Sequence, residues 1–179
     1  MILSFLRWMA LFVIAYSSIG ALAEQTTTGA ASLPSYRARF DRARPLIAVV
    51  GLNAGTEVTD FVAPYGILSR ADVADVMALA IEAGPIRMRP ALVVEPDASI
   101  AGFDQRFPDG ADYVIVPAVA RHDDPVLVGW IRTQAAKGAT VVSICDGALV
   151  VAEAGLFKGR RATGHWATQS RREHDYADT

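Results

Sequence analysis

The chain has 179 residues, with 17 basic and 19 acidic side chains and a formal net charge of −2. That length suffices for one domain with a real core. No basic stripe runs along it, which excludes a broad nucleic-acid surface, and a single cysteine excludes an internal disulfide.

The first 23 residues differ in kind from the rest. Arg7 is their only charge, Trp8 to Ala23 is almost wholly apolar or small, and Ala21-Leu22-Ala23 has the small-x-small form of a signal-peptidase site. Residues 1–23 are therefore predicted to be a secretory signal, cut ahead of Glu24, and the protein is expected to be exported, periplasmic or extracellular. The rival reading is an uncleaved anchor, since about 20 apolar residues span a bilayer; only then would a membrane be a partner. Without the signal the balance is 16 basic against 19 acidic, or −3. Residues 24–44, which open on a stretch rich in Thr, Ala and Ser, read as a flexible leader. Residues 45–179 read as one domain.

Pro45 to Val50 is a continuous apolar run, read as a buried parallel strand. Gly51 to Gly55 reads as the loop at its end. A helix is predicted to start near Thr59 or Asp60 and run past Ile67, with Pro64 in its first turn or at a kink. Ala71 to Ala83 reads as a second helix, closed by Gly84-Pro85. Ala91 to Glu95 has a strand pattern, followed by a Pro96-Asp97 turn. Ala111 to Pro117 is another buried strand. Asp124 is placed to cap a helix whose first position is Pro125, with Val126, Trp130 and Ile131 on its apolar face and Gly138 at its end. Thr140 to Ile144 is a β-branched strand leading into Cys145, and the helix after it reaches about Ala154 and closes at Gly155. Lys158-Gly159 is a turn, and Thr168 to Tyr176 reads as a polar, exposed helix.

Strands alternating with helices imply an α/β fold, a parallel sheet with helices on both faces. Ligands bind such sheets at the C-terminal ends of the strands. The loops after Val50, Val116 and Ile144 open on that edge. No internal repeat, metal-ligand spacing or cofactor motif is found.

Cys145 stands where a strand turns sharply into a helix, with Gly147 two residues on. That is the layout of a nucleophile elbow, in which a tight turn lifts one side chain above the sheet and frees neighbouring N–H groups. A helix N-terminus beside a thiol favours the thiolate, so Cys145 is expected to be reactive. A lone cysteine is more often a small buried apolar residue; the elbow reverses that preference.

The stretch from Cys145-Asp146-Gly147 through Gly159-Arg160-Arg161-Ala162-Thr163-Gly164-His165-Trp166 resembles the ThiJ/PfpI family of the class I glutamine amidotransferase-like superfamily. It looks most like the branch at the N-terminus of AraC-type regulators. The resemblance reaches back through Tyr113 to Pro117 and Asp60 to Pro64, covering about residues 45–177. It implies a flavodoxin-like three-layer sandwich with Cys145 as nucleophile, His165 near the thiol, and Asp60 as the acid that hydrogen-bonds the cysteine. The N–H groups of Val119 and Asp146 would form an oxyanion hole. Asp60 as a protonated acid could donate to the thiolate.

Plainer readings stand beside these. Asp60 is also placed to cap its helix, and His165 could be an exposed or structurally bonded residue. Arg160 and Arg161 read as surface residues or salt-bridge partners, His122 and His174 as water-facing, and Trp130 as core. Two departures matter. The regulators continue into a helix-turn-helix domain that this chain lacks, so direct transcriptional control is not expected. Family domains also usually extend past the point matching Thr179, so the domain is expected to be incomplete at its C-terminus, with an open sheet edge.

The resulting expectation is cysteine-dependent hydrolase, hydratase or glyoxalase-type chemistry on a small electrophile, without cofactor or metal, in a possible homodimer. The alternative is a non-enzymatic domain that binds a small ligand or senses oxidants through Cys145.

Overall fold

The computed structural model describes residues 36–37 and 39–177; the predicted signal and most of the leader lie outside them. A five-stranded parallel sheet forms the centre, in the order β6-β3-β1-β7-β8. Its strands are β1 (Leu46–Gly51), β3 (Asp75–Ala80), β6 (Ala98–Ser99), β7 (Tyr113–Val116) and β8 (Thr140–Ser143). Every residue of β1 is buried. Leu46, Ala48 and Val50 join one apolar cluster and Ile47 and Val49 join another. Side chains alternate across a strand, so β1 feeds the two faces in turn.

Helices cover both faces, as the alternating pattern predicts. On one face Phe61 of α1 (Val58–Ala71) packs into the second cluster. On the other lie α2 (Ile100–Arg106), α3 (Pro125–Ala136) and α4 (Gly147–Glu153), which contribute Phe103, Leu127, Trp130, Ile131, Val150 and Val151. Asp124 caps α3 as expected, its carboxylate accepting the N–H groups of Val126 and Leu127 at 3.1 Å each. Trp130 is core, and its indole N–H donates to Asp104. The polar C-terminal segment forms a 3₁₀ turn (Trp166–Thr168) and α5 (Gln169–Asp175), without a buried residue.

Three expectations fail. The segment Ala71 to Ala83 is not a helix: α1 ends at Ala71, Asp72 takes a left-handed cap (φ 52°), and β3 follows. Met, Ala and Leu favour helix in isolation, but here Met77 and Leu79 face one cluster while Ala78 and Ala80 face the other, and burial on both faces overrides propensity. The loop after β1 holds a strand, β2 (Ala54–Glu57), which forms a second small sheet with β4 (Ile86–Arg89) and β5 (Val93–Val94). Of the strand expected at residues 91–95 only β5 forms. Of the two places offered for Pro64, the first turn is excluded, since it lies in the middle of α1.

The predicted leader also departs from expectation over its described part. Arg39 donates to the carbonyls of Gly138 and Lys137 at 2.5 and 2.6 Å. Arg42 pairs with the buried Asp112 at 3.0 Å, and Arg44 with Asp72 at 2.7 Å. Asp112 in turn accepts the N–H of Leu46 at 2.8 Å, so these arginines tie the entry to β1 onto the domain. Among the described residues no helix is long and apolar enough to cross a membrane.

Candidate functional site

The elbow is held by close packing. Cys145 has φ 55°, the left-handed region that non-glycine residues rarely adopt. The turn closes with the N–H of Gly147 on the carbonyl of Ile144 at 2.8 Å, and α4 begins there. Gly147 lies so near the end of β7 that a Cβ on it would sit 2.0 Å from the carbonyl oxygen of Val116. Only glycine allows this approach.

Three loops meet at the sulfur, as the parallel topology predicts. The first is the start of α1. Glu57 caps that helix, accepting the N–H of Asp60 at 2.8 Å. Asp60 is therefore not the cap, and its carboxyl is free to reach outward. It accepts the N–H of Ala118 at 3.1 Å and faces the Cys145 thiol, each group affecting the other's titration. The second loop follows β7. Glu57 N–H donates to Ala118 O at 2.8 Å and Ala120 N–H to Gly55 O at 2.9 Å, a pairing that turns both backbone groups of Val119 away from β2. Among the described residues no acceptor takes the Val119 N–H. The third is the elbow, where the Asp146 N–H is directed at the cysteine sulfur.

The electrostatics correct one expectation. The thiol is not favoured as an anion. Burial pushes Cys145 above its ordinary value, the carboxylates of Asp60 and Asp146 push it further, and the Asp146 N–H opposes them. The helix behind the elbow has only seven residues, and Asp146 at its start sets a negative charge against its dipole. Burial also raises Asp60, with the Ala118 N–H opposing and Glu57 reinforcing. The pair is a thiol and a carboxyl in direct contact, each with its proton affinity raised chiefly by burial.

His165 lies at the hollow of the thiol without bonding to it. Its Nδ1 accepts the N–H of Ala167 at 3.3 Å and its ring lies 5.4 Å from Trp166. No hydrogen bond joins it to Cys145 among the described residues. It does line the same hollow of about 390 Å³, whose walls include Ser143, Cys145, Phe157, Arg161 and Thr163. His122 and His174, read as water-facing, lie against Arg171 (3.2 Å) and Asp175 (2.8 Å).

Other residues of the site escape the sequence reading. Thr168 Oγ1 donates to the Asp146 carboxylate at 2.6 Å, and Arg172 donates to Thr168 Oγ1 at 2.7 Å and to His165 O at 2.8 Å. Together they strap the segment carrying His165 to the elbow. The four-residue step from Thr168 to Arg172 on a helix is the available signal. Glu57, three residues before Asp60, is another. Gly164 belongs to the strap too, since a Cβ there would meet Ala148 Cβ at 2.7 Å. Among the described residues no group of three His, Cys, Asp or Glu side chains could hold a metal.

Comparison with known proteins places this architecture. The chain superposes on oxidized DJ-1 of Toxoplasma gondii with a TM-score of 0.63 at 22% identity, covering 74% of this chain and 73% of that one. It superposes on a ThiJ/PfpI domain protein of Brachyspira murdochii with a TM-score of 0.63 at 16% identity, covering 73% and 76%. These likenesses show the fold. In sequence it is 49% identical to isonitrile hydratase of Pseudomonas putida over 45 residues, which is 25% of this chain and 20% of that protein. It is 52% identical to the HTH-type transcriptional regulator CdhR of Pseudomonas aeruginosa over 42 residues, 24% of this chain and 12% of the regulator. The chain thus matches only about a fifth or less of the length of these relatives. The DJ-1/PfpI family pattern runs through residues 47–178, taking in β1, the Asp60 turn, the elbow and the strap, and the chain belongs to that family.

Proposed function

We propose that the protein is a cysteine-dependent hydratase or hydrolase of small carbon electrophiles, with isonitriles as the first class to try. The observation that carries this reading is the direct apposition of the Asp60 carboxyl and the Cys145 thiol at a left-handed elbow. The isonitrile class is supported by the similarity of a quarter of the chain to isonitrile hydratase.

For an isonitrile the steps balance as follows. The S–H proton passes to Asp60 while sulfur bonds to the terminal carbon, and Asp60 then protonates that carbon, leaving a thioimidate. Water adds to the same carbon as Asp60 takes one of its protons and passes it to the nitrogen; the new hydroxyl then gives its proton to Asp60, from which it later reaches sulfur, and the N–H groups of Val119 and Asp146 hold the oxygen charge that develops. Collapse breaks the C–S bond, the electron pair returns to sulfur with a proton, and an N-formyl amine leaves. The net change is addition of one water. Asp60 acts as base and then acid, a role suited to its raised proton affinity. His165, whose ring accepts the N–H of Ala167, serves as a wall of the site.

Oxidant sensing fits the site less well, because the nucleophile toward peroxide is the thiolate and burial raises the proton affinity of this thiol. Cleavage ahead of Glu24, export and pairing of two copies belong to the same proposal. Amino-terminal sequencing of protein recovered from the periplasm, beginning at Glu24, supports the first two.

The test is incubation of the full chain with cyclohexyl isocyanide and detection of the N-formyl product by NMR. The expected result is product with the native chain and a loss of about 10³-fold or more with Cys145→Ala. No product, or an equal rate with Cys145→Ala, overturns the proposal.

A further inference from the structure

Asp146 opens α4, where an aspartate ordinarily folds back and accepts the first N–H groups of its own helix. Here its side chain makes no such bond. The helix start is served without it, because the N–H groups of Ala148 and Leu149 donate to the carbonyls of Cys145 and Asp146 at 3.3 and 3.0 Å. The carboxylate is turned instead to Thr168, 22 residues on, whose Oγ1 donates to it at 2.6 Å.

The direction of that contact is fixed from behind. Arg172 donates to Thr168 Oγ1 at 2.7 Å and to His165 O at 2.8 Å. A guanidinium has no acceptor, so Thr168 accepts from it and the one hydroxyl proton is left for the carboxylate. His165 O also lies 3.1 Å from the hydroxyl, but Arg172 already serves that carbonyl and the charged acceptor is nearer. Gly164 makes room for the guanidinium, since a Cβ there would lie 2.9 Å from Arg172 Nη1. Guanidinium, hydroxyl and carboxylate form a polarised chain that ends at the residue next to Cys145.

The same Asp146 directs its N–H at the sulfur. A loose carboxylate at this place would harm the site in two ways. It would bring its charge toward the sulfur, or it would swing back to cap α4 and twist the peptide whose N–H faces the sulfur. The chain opposes both. Building on the hydratase reading, which makes Cys145 the nucleophile, we propose that Thr168 and Arg172 are positioning residues: they hold the Asp146 carboxylate on the strap, offset its charge with the guanidinium, and keep the Asp146 N–H on the sulfur and on the oxygen that forms beside it. Neither residue lines the hollow at Cys145, so both act through Asp146.

Iodoacetamide alkylation against pH reads the sulfur without any substrate. The charged or titratable groups facing it are Asp60 from α1, Asp146 from the elbow, and Arg161 and His165 from the segment after α4, all retained when Thr168 is changed. The 3₁₀ turn and α5 bury no residue, so the core keeps its packing. The alkylation midpoint is expected to rise by about half a pH unit or more in Thr168→Ala and in Arg172→Met. Thr168→Ser, which keeps the hydroxyl, is expected to stay at the native midpoint. In an Asp146→Asn background Thr168→Ala is expected to shift nothing, because the charge it restrains is gone. An unchanged midpoint in Thr168→Ala, an equal rise in Thr168→Ser, or an equal rise in the Asp146→Asn background overturns the assignment; the last marks a strap that is structural only. Hydration of cyclohexyl isocyanide is expected to fall about 10-fold in kcat in Thr168→Ala and to recover in Thr168→Ser. If the midpoints behave as stated while the native chain hydrates no isocyanide, the hydratase reading fails and Thr168 and Arg172 stand as positioning residues of the thiol.

Discussion

Asp60 and His165 both border Cys145, yet they are fixed in opposite ways. Asp60 hangs from the first turn of a 14-residue helix whose Phe61 is wholly buried, and its carboxyl is tied to a backbone N–H of the neighbouring loop. His165 belongs to a segment with no buried side chain, next to a tryptophan that is 81% exposed, and is tied mainly to its own neighbourhood. The difference assigns work. A proton carrier must keep its distance to sulfur through a reaction cycle, which suits the rigid side. A recognition wall tolerates adjustment, which suits the strapped side.

The sharpest break of this comparison is Asp60→Asn. The amide oxygen can still accept the Ala118 N–H, so the geometry survives while the proton acceptor is lost. Hydration is expected to fall about 10²- to 10⁴-fold; a fall no larger than that of His165→Ala would merge the two sides.

A second break is structural. Gly147→Ala drives a methyl into the Val116 carbonyl, a backbone group that cannot swing aside. A loss of about 3 kcal/mol in denaturant unfolding is expected. A change under about 1 kcal/mol would mean that the elbow is looser than its contacts imply.

A third sharpens the electrostatics. Iodoacetamide alkylation against pH should show a midpoint above that of free cysteine, because burial and two carboxylates favour the neutral thiol. Asp60→Asn removes one of those charges, so the midpoint should move down. The linked stability has a definite sign. A thiol whose folded value is raised contributes stability at low pH, and that contribution fades as pH rises through the folded value. Native protein should therefore lose stability relative to Cys145→Ala on the alkaline side; the opposite trend would contradict the raised thiol. The smallest effect is expected from His165→Ala, less than about 10-fold in turnover, since no hydrogen bond links its ring to the sulfur.

The legible parts of this molecule were those whose signals are local. Buried apolar runs located β1, β7 and β8, the Asp124-Pro125 pair located α3, and the Cys145-x-Gly147 turn located the elbow. Asp60 was found through family resemblance, although a local rule also offered it as a cap. What escaped depends on partners distant in sequence. The helical composition of β3 is overruled by neighbours on both sides, β2 forms because β4 lies beside it, and Glu57 takes the cap. The acid's partner at Ala118 is 58 residues away, and the clasp between Asp146 and Thr168 spans 22. Arg161 is exposed, as its charge suggests, and only its place at the rim of the hollow depends on how the chain after α4 folds back.

The left-handed torsion at Cys145 sets an unusual order among its replacements. At most positions glycine weakens a protein relative to alanine, because it gives the denatured chain more freedom. At position 145 a Cβ of any kind is disfavoured, and the ranking inverts: Cys145→Gly should outlast Cys145→Ala by about 1 kcal/mol. Random mutation selected for heat resistance alone would thus tend to erase the nucleophile, and a library screened for durability needs an activity gate to keep it.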